Sequence, residues 1–495
     1  MVTPGQLLSL TIEKPAAGGR MIARVDGQVV LVGGAIPGER VTGRVERVGR
    51  GVAYAATTSV EVASVDRREL FGDPLCGGCV YAHIAYPRQL DIKALVIADA
   101  FGRIGRLELP AAVRVARSPE EGYRMRARLH VRGDHLGFFR EATHELCDAR
   151  ATRQLLPATC DVLDRVVAGV RPPGIRAVHE IEVSENVEAS NRVVHLESAT
   201  ALDVRALDAI AAVDGLTGTT LRCPSEAGSR VTTVAGSAHV FDTFAIGDHA
   251  PIELRRHVLA FFQGNRFLLK DLVSHVIGQV EPGSDVIDLY SGAGLFALGA
   301  AAIRCARVTA VEGDRFAASD LEANVRAAGG GLTAVHQPVE GFLAPSRRAP
   351  ATLIVDPPRT GMSREAMDGI VRLRFPLGKV PVAVSLDGAV NLGVAGEAAQ
   401  EREKSALEAS VSVGSVGKPG DWRAFYTYQY VERDALLGAY TTDDWWFHSW
   451  HRGSRAGIAY TILPQVFVQG AVMFQKRLDL PVTLNRVTVD LVKMF

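Results

Sequence analysis

Between about residue 255 and residue 356 the chain alternates segments of helical and of strand-like apolar spacing, and no other feature restricts its fold as much. In order they read HVLAFFQGNRFLLKDLVSHVIGQV, DVIDLY, GLFALGAAAIRC, RVTAVEGD, RFAASDLEANVRAAGG and ATLIVDPPR. A helix that carries the chain back to the same end of a sheet makes neighbouring strands parallel. The stretch therefore predicts a parallel, Rossmann-like α/β domain.

The rest of the chain lacks this rhythm, and 495 residues suffice for two to four domains. Residues 3 to about 62 alternate in short runs divided by turns such as AIPGE, the pattern of a small barrel. CGGCVYAHIAYPRQLDIKALVIADAFGRIGRL then passes from a cysteine turn into a predicted helix over about 88–106. Its apolar positions Leu95, Ile97, Ala98 and Phe101 are expected to dock on the catalytic domain. From about 120 to 240 the pattern is β again. After about Arg374 long alternating strands replace the βα series, and all four tryptophans (Trp422, Trp445, Trp446, Trp450) lie there. The expected divisions are 1–62, 63–240, 241–373 and 374–495.

Lysine plus arginine equals aspartate plus glutamate at 55 each, so net charge supplies no general pull toward nucleic acid. Any such contact must come from a local patch. In YRMRARLHVRGDHLGFFRE, Arg124, Arg126, Arg128, His130 and Arg132 fall on one strand face, with Tyr123, Met125, Ala127, Leu129 and Val131 on the other. A solvated face is one reading; arginines clustered without interleaved acids favour phosphate contact. The N-terminal MVTPGQLLSLTIEKPAAGG lacks the basic and apolar regions of a signal peptide, and no run reaches the roughly 20 apolar residues of a membrane helix, so a cytoplasmic protein is expected. Six cysteines without a secretory signal do not predict a disulfide framework. Cys160, Cys223 and Cys305 read as inert thiols. Cys76 and Cys79 form the only C-x-x-C, a soft pair suited to iron–sulfur or zinc.

DVIDLYSGAGLFALGAA puts Gly292 and Gly294 in the turn after a predicted strand, where missing side chains let the backbone approach a ligand or simply make a tight turn. VTAVEGD tips the balance, because Glu312 ends the next strand about 20 residues on, where a carboxylate accepts from both hydroxyls of a ribose. The third glycine of the dinucleotide fingerprint is replaced by Ala297, which favours S-adenosylmethionine (SAM) over NAD.

FFQGNRFLL, DLYSGAGLFAL, AVEGD and DPPRTGM, in that order and at these intervals, resemble the RNA uracil-C5 methyltransferases that make 5-methyluridine in tRNA and 23S rRNA. The likeness spans roughly residues 1–373. Members often begin with a TRAM domain, an OB-type RNA-binding barrel, followed by a C-G-G-C element. The resemblance implies SAM binding by Gln263, Tyr290, Glu312 and Asp356, with Asp356 near the target base. It also implies an RNA partner, rRNA or tRNA, and a cytoplasmic monomer. Many relatives hold a [4Fe-4S] cluster on four cysteines. Cys76, Cys79 and Cys147, in HELCDAR, match three of them, and Leu70 and Gly72 stand near the missing first. Three ligands leave an open iron, a non-cysteine ligand, or no cluster.

In this family a cysteine thiolate adds to C6 of a uracil turned out of its stack, C5 of the enolate takes the methyl group, and a base removes the C5 proton before the thiolate leaves. That cysteine should follow Asp356 in an apolar strand, with a glutamate base further on. No cysteine follows Cys305; the nearest analogue, in VAVSLDG, is Leu386, which has no nucleophile. The expectation is an RNA uracil-C5 methyltransferase by descent with impaired catalysis. The alternatives are a noncatalytic RNA- and SAM-binding chain, or an outer-membrane fragment. The tail motivates the last of these. Trp422, Ala424, Tyr426, Tyr428 and Tyr430 share a face, RAGIAYTILPQVFVQGAVMFQKRL reads as two strands around a tight turn, and Val487, Val489 and Leu491 share a face with Phe495. These features resemble the last strands of a bacterial outer-membrane, porin-like barrel, joined here as a chimaera to a truncated methyltransferase. A soluble β domain is the other reading, and so few strands cannot close a barrel.

Overall fold

The computed structural model describes residues 2–49, 51–73, 76–104, 107–141, 143–170, 177–224, 229–247, 249–343, 351–358, 361–363, 373–377, 380–390, 405–431, 450–464 and 466–493. Arg359 and Thr360 of the DPPRTGM motif, Trp445, Trp446 and Phe495 lie outside these residues. The chain divides into two compact bodies, 1–280 with 292–304 and 314–332, and 281–291 with 305–313 and 333–495.

The first body begins with a six-stranded sheet whose spatial order is Leu7–Thr11, Arg40–Gly49, Val52–Val62, Gln28–Gly33, Met21–Val25 and Lys14–Pro15. Alternation is its cause: Leu8 and Leu10 are buried while Leu7, Ser9 and Thr11 are exposed. Register shifts within the Arg40–Gly49 and Val52–Val62 pair bend these strands around a core of Leu10, Met21, Val30, Val41 and Ala53. Glu39 is wholly buried beneath this sheet and bonds the Ile36 and Ser64 amides at 2.9 and 3.1 Å and the Arg67 guanidinium at 2.6 Å.

A helix over Tyr86–Asp99 carries Pro87 in its first turn and continues as a π-turn, Ala100–Ile104. Its buried positions are Gln89, Leu90 and Ile92, and Ile92 joins the core of the six-stranded sheet. Leu95, Ile97 and Phe101, the positions singled out by spacing, are exposed at 40% or more. A seven-stranded sheet follows, in the order Arg230–Gly236, Gly218–Cys223, Arg192–Ser198, Val178–Glu185, Arg126–Arg132, His135–Phe139 and Leu146–Asp148. The helix Pro157–Gly169 covers it through Cys160, Leu163 and Val166. Buried ion pairs join Glu185 to Arg192 and Arg266, and Asp242 to Arg256, locking the hairpin His239–Phe244 and Ile252–His257 in place.

The second body holds the parallel sheet expected from the βα rhythm, in the order Leu332–His336, Arg307–Glu312, Asp285–Leu289, Thr352–Val355. After it come seven antiparallel strands in chain order, Leu373–Leu377, Val380–Val390, Ser405–Gly414, Trp422–Val431, His451–Leu463, Val466–Arg477 and Thr483–Lys493. The last described strand of the parallel sheet ends at Val355, and the first described strand of the antiparallel sheet starts at Leu373.

Candidate functional site

In an open parallel sheet, ligand chemistry collects at the carboxyl ends of the strands, because the loops that leave those ends are free to surround a ligand. Three adjacent strands of the second body end there on predicted residues. Asp285–Leu289 is followed at once by Tyr290, Arg307–Glu312 ends on Glu312, and Thr352–Val355 is followed by Asp356. Glu312 is half-buried and Asp356 is exposed. Tyr290 has φ +59°, a conformation non-glycine residues seldom adopt and one that clusters at binding sites. Its ring packs against Leu289, Val311 and Phe342, and burial, then the Glu340 carboxylate, pushes its phenol above the usual range. The neighbouring Ser291 pins this exit to the next strand: its amide donates to the Val311 carbonyl at 3.0 Å and its hydroxyl at 3.2 Å.

The glycine turn belongs to the first body. Gly292 and Gly294 both have positive φ, +57° and +96°. Gly292 faces open space, since a Cβ there would meet only the Phe261 carbonyl, at 4.0 Å. Gly294 serves packing, since a Cβ would lie 2.8 Å from Leu321. At Gly294, then, helix contact accounts for the glycine. Gln263 lies two residues beyond Phe261 and is half-buried. Asn324, within the helix Arg315–Ala328, was not identifiable from sequence. Its amide donates to the carbonyls of Ala293 and Arg255, both at 2.8 Å, and its oxygen accepts from the Arg255 amide at 3.0 Å. Asp314 caps the same helix by accepting from Phe316 and Ala317.

The arginine strand is less free than its sequence suggests. Acids do interleave, but they come from the neighbouring strand, where Glu182 pairs in register with Arg128 and Glu180 with His130. Arg126 is ion-paired to Glu182, and Arg128 reaches Glu180 and Glu182 at 3.3 Å each. Arg124 donates to Gln154 at 2.8 Å. Burial pushes Glu182 upward against the pull of Arg126 and Arg128. Arg128, with an exposed side chain, and exposed Arg132 remain at the surface.

The cysteine element also differs from expectation. Cys76 and Cys147 are joined by a disulfide with Cα atoms 6.1 Å apart, and Cys79 is buried beside them with Phe71, Ala82 and Phe138. Position 72 does face these sulfurs, for a Cβ on Gly72 would lie 2.9 Å from Cys79 Sγ. Burial, then the Asp73 carboxylate, pushes the Cys79 thiol up. Two sulfurs bonded to each other and a third disfavoured as thiolate do not fit a [4Fe-4S] cluster, which needs thiolate ligands. Among the described residues no group of three metal-ligating side chains is present.

The parallel sheet whose neighbouring strands end at Leu289, Glu312 and Val355 defines the class, an open α/β domain. Residues 2–57 match the TRAM domain family. The chain is 31% identical to the 23S rRNA uracil-C5 methyltransferase of Halomonas elongata, over 71% of this chain and 76% of that protein. It is 30% identical to the enzyme of the same description from Pseudomonas putida, over 75% of this chain and 84% of that one. The crystal structure of Pyrococcus abyssi tRNA (uracil-54, C5)-methyltransferase in complex with S-adenosyl-L-homocysteine superposes with a TM-score of 0.56 at 20% identity, covering 77% of this chain and 90% of that one. The chain belongs to the RNA uracil-C5 methyltransferase family.

Proposed function

We propose that this chain binds SAM and structured RNA, as its family does, but is impaired in transferring methyl to uracil C5. The observation that carries the second half is that no cysteine follows Cys305. Leu386, the nearest analogue of the nucleophile, sits opposite Ala409 in an antiparallel strand that does not belong to the parallel sheet. Bound SAM would supply an electrophilic methyl group. Glu312 would accept from its ribose hydroxyls, Gly292 would let the backbone approach it, and Gln263, Tyr290, Gly294 and Asp356 would complete the site. The open space at Gly292 and the row of strand ends carrying Tyr290, Glu312 and Asp356 support this reading. Among the described residues of the remaining strands, no thiol is placed to add to a pyrimidine C6, and leucine cannot form that bond.

RNA would be held by an OB-type barrel formed by the TRAM residues, and by Arg128 and Arg132, with Arg124 and Arg126 positioning that strand through Gln154 and Glu182. Domain limits of 1–62, 63–240, 241–373 and 374–495 fit this division of labour, the last being foreign to it. Calorimetry with SAM, followed by nucleoside analysis of an unmodified 23S rRNA fragment incubated with chain and SAM, tests the reading. Binding without 5-methyluridine is expected; efficient formation of 5-methyluridine overturns it.

A further inference from the structure

The first body holds a cavity of about 310 Å³, walled by the C-G-G-C turn, the start of the helix Tyr86–Asp99 and the bridged pair Arg124 and Asn265. Gln154 lines it and is only 2% exposed. Its Oε1 accepts from Arg124 Nε at 2.8 Å and from the Tyr123 hydroxyl at 3.2 Å. Arginine Nε can only donate, so the amide cannot be turned over, and its Nε2 finds no acceptor among the described residues. A Cβ on Gly78 would lie 1.8 Å from that nitrogen, so the second glycine of C-G-G-C is what lets the amide reach the cavity wall. The first, Gly77, also lines the cavity, and a Cβ there would meet nothing within 4 Å. Three cations, Arg68, Lys93 and Arg124, stand in this lining against one carboxylate, Glu120. Arg68 is committed to Glu120, at 2.6 and 3.0 Å, whereas Lys93 and the terminal nitrogens of Arg124 bond no described residue. Gln89 adds a further bond to Glu120 Oε1 at 3.3 Å, so of the carboxylate's roughly four acceptor sites one, on Oε2, stays open.

We propose that this cavity takes one unstacked guanosine of the bound RNA, an inference that rests on the RNA-binding role proposed above and names a nucleotide it selects. The surplus of positive charge favours a ligand that carries phosphate. The half-buried rings of Tyr86 and Tyr123 offer flat walls for a single base, which only a single-stranded segment can give up from its stack. Guanine alone among the bases sets two acceptors side by side, O6 and N7, the pattern that the paired terminal nitrogens of a guanidinium meet. Adenine would turn its N6 donor against Arg124, and the two oxygens of uracil are divided by the N3 donor. Guanine also carries the N2 amine, a donor for the open acceptor of Glu120. Gln154 Nε2 adds a donor for an acceptor-rich ligand, and exposed Lys93 a cation for its phosphate. Asn265, in the same lining, lies two residues beyond Gln263 in FFQGNRFLL. A guanosine held here therefore fixes the register of the RNA next to a segment assigned to the methyl donor.

The test uses the full chain with two sets of probes. In calorimetry with mononucleotides, GMP should bind about tenfold more tightly than IMP, which lacks only the N2 amine, and more tightly than AMP, UMP or CMP. Gly77→Leu fills the cavity from a position that has free space and no left-handed backbone, and should weaken GMP by about tenfold or more while SAM binding stays unchanged. In the second set, one guanosine placed within an oligouridine RNA should tighten binding by about tenfold over the same oligomer carrying inosine there. Equal affinities for GMP and IMP overturn the proposal, as does a Gly77→Leu chain that folds and binds GMP undiminished. Selective GMP binding without any gain for guanosine in RNA also overturns it, since the ligand is then a free nucleotide. The contrast between GMP and IMP on the unaltered chain decides the matter even if Gly77→Leu misfolds. A chain that binds oligouridine without preferring guanosine keeps the RNA-binding role and loses this site; a chain that binds no RNA loses both.

Discussion

Replacing Asn324 by alanine removes one side chain that closes three backbone bonds around the glycine turn. Asn324 is 5% exposed, and its loss leaves the Ala293 carbonyl and both the carbonyl and the amide of Arg255 without that partner. A buried polar group stripped of its partner costs about 1–3 kcal/mol, and water entering the vacated space recovers part of this, so a total near 3 kcal/mol is expected. The strain should surface at the start of the helix Leu295–Arg304, where the Leu298 amide bonds the Gly294 carbonyl at 2.9 Å. Native-state hydrogen exchange of Leu298 measures it: the local opening free energy should fall by about 3 kcal/mol, and SAM affinity should weaken in parallel. Asn324→Asp, which keeps the acceptor but turns a carboxylate on two carbonyls, should be at least as damaging. A change under about 0.5 kcal/mol for the alanine variant would refute the reasoning, because it would mean that the turn does not depend on this bridge.

Glu39 offers a pH-dependent counterpart: burial raises its carboxyl, but Arg67 and the Ser64 and Ile36 amides bring it below the usual range, so its stabilisation is full above the unfolded value and is lost as pH falls through the folded one. Glu39→Gln should flatten that acid limb in urea melts and cost roughly 2–4 kcal/mol at neutral pH by breaking a buried pair. His195 is driven down to about 4 by burial, then by Arg222 and Arg128, even though Glu197 stands 3.1 Å from its ring. The folded chain therefore binds fewer protons there than the unfolded one between about pH 6.5 and 4, and stability declines as pH falls across that window; an NMR titration should find the ring neutral at pH 5. Cys79 should resist iodoacetamide in the folded chain and react on unfolding, and non-reducing peptide mapping should recover Cys76 linked to Cys147. Arg132→Glu should weaken RNA binding and lower the salt slope by about one counterion, whereas Arg126→Ala should act mainly on stability through Glu182.

What could be read from the sequence was what short-range rules determine. The parallel sheet followed from the βα alternation, and Tyr290, Glu312 and Asp356 fell at strand ends because apolar runs mark where strands stop. The tail register put Trp422, Ala424 and Tyr426 on one face, as period-two spacing requires. What could not be read was set by partners distant in sequence. The acids that pair with Arg126 and Arg128 are about fifty residues away on another strand, so the arginine stripe looked bare of them. The helix Tyr86–Asp99 buries Leu90 and Ile92 rather than Leu95, Ile97 and Phe101, because the six-stranded sheet and not the helix's own periodicity selects the covered face. The family resemblance grouped Cys76, Cys79 and Cys147, which do pack together, but it did not foretell the bond between Cys76 and Cys147. Asn324 carried no signal, since an asparagine within a helix has no motif of its own until the turn it bridges is folded against it.

The most direct test of the central claim is mass-spectrometric nucleoside analysis of unmodified 23S rRNA after incubation with the chain and isotopically labelled SAM, under conditions where calorimetry shows the donor bound. The account predicts occupancy without labelled 5-methyluridine. Stoichiometric appearance of that nucleoside would contradict it, for a nucleophile other than a cysteine beyond Cys305 would then be at work.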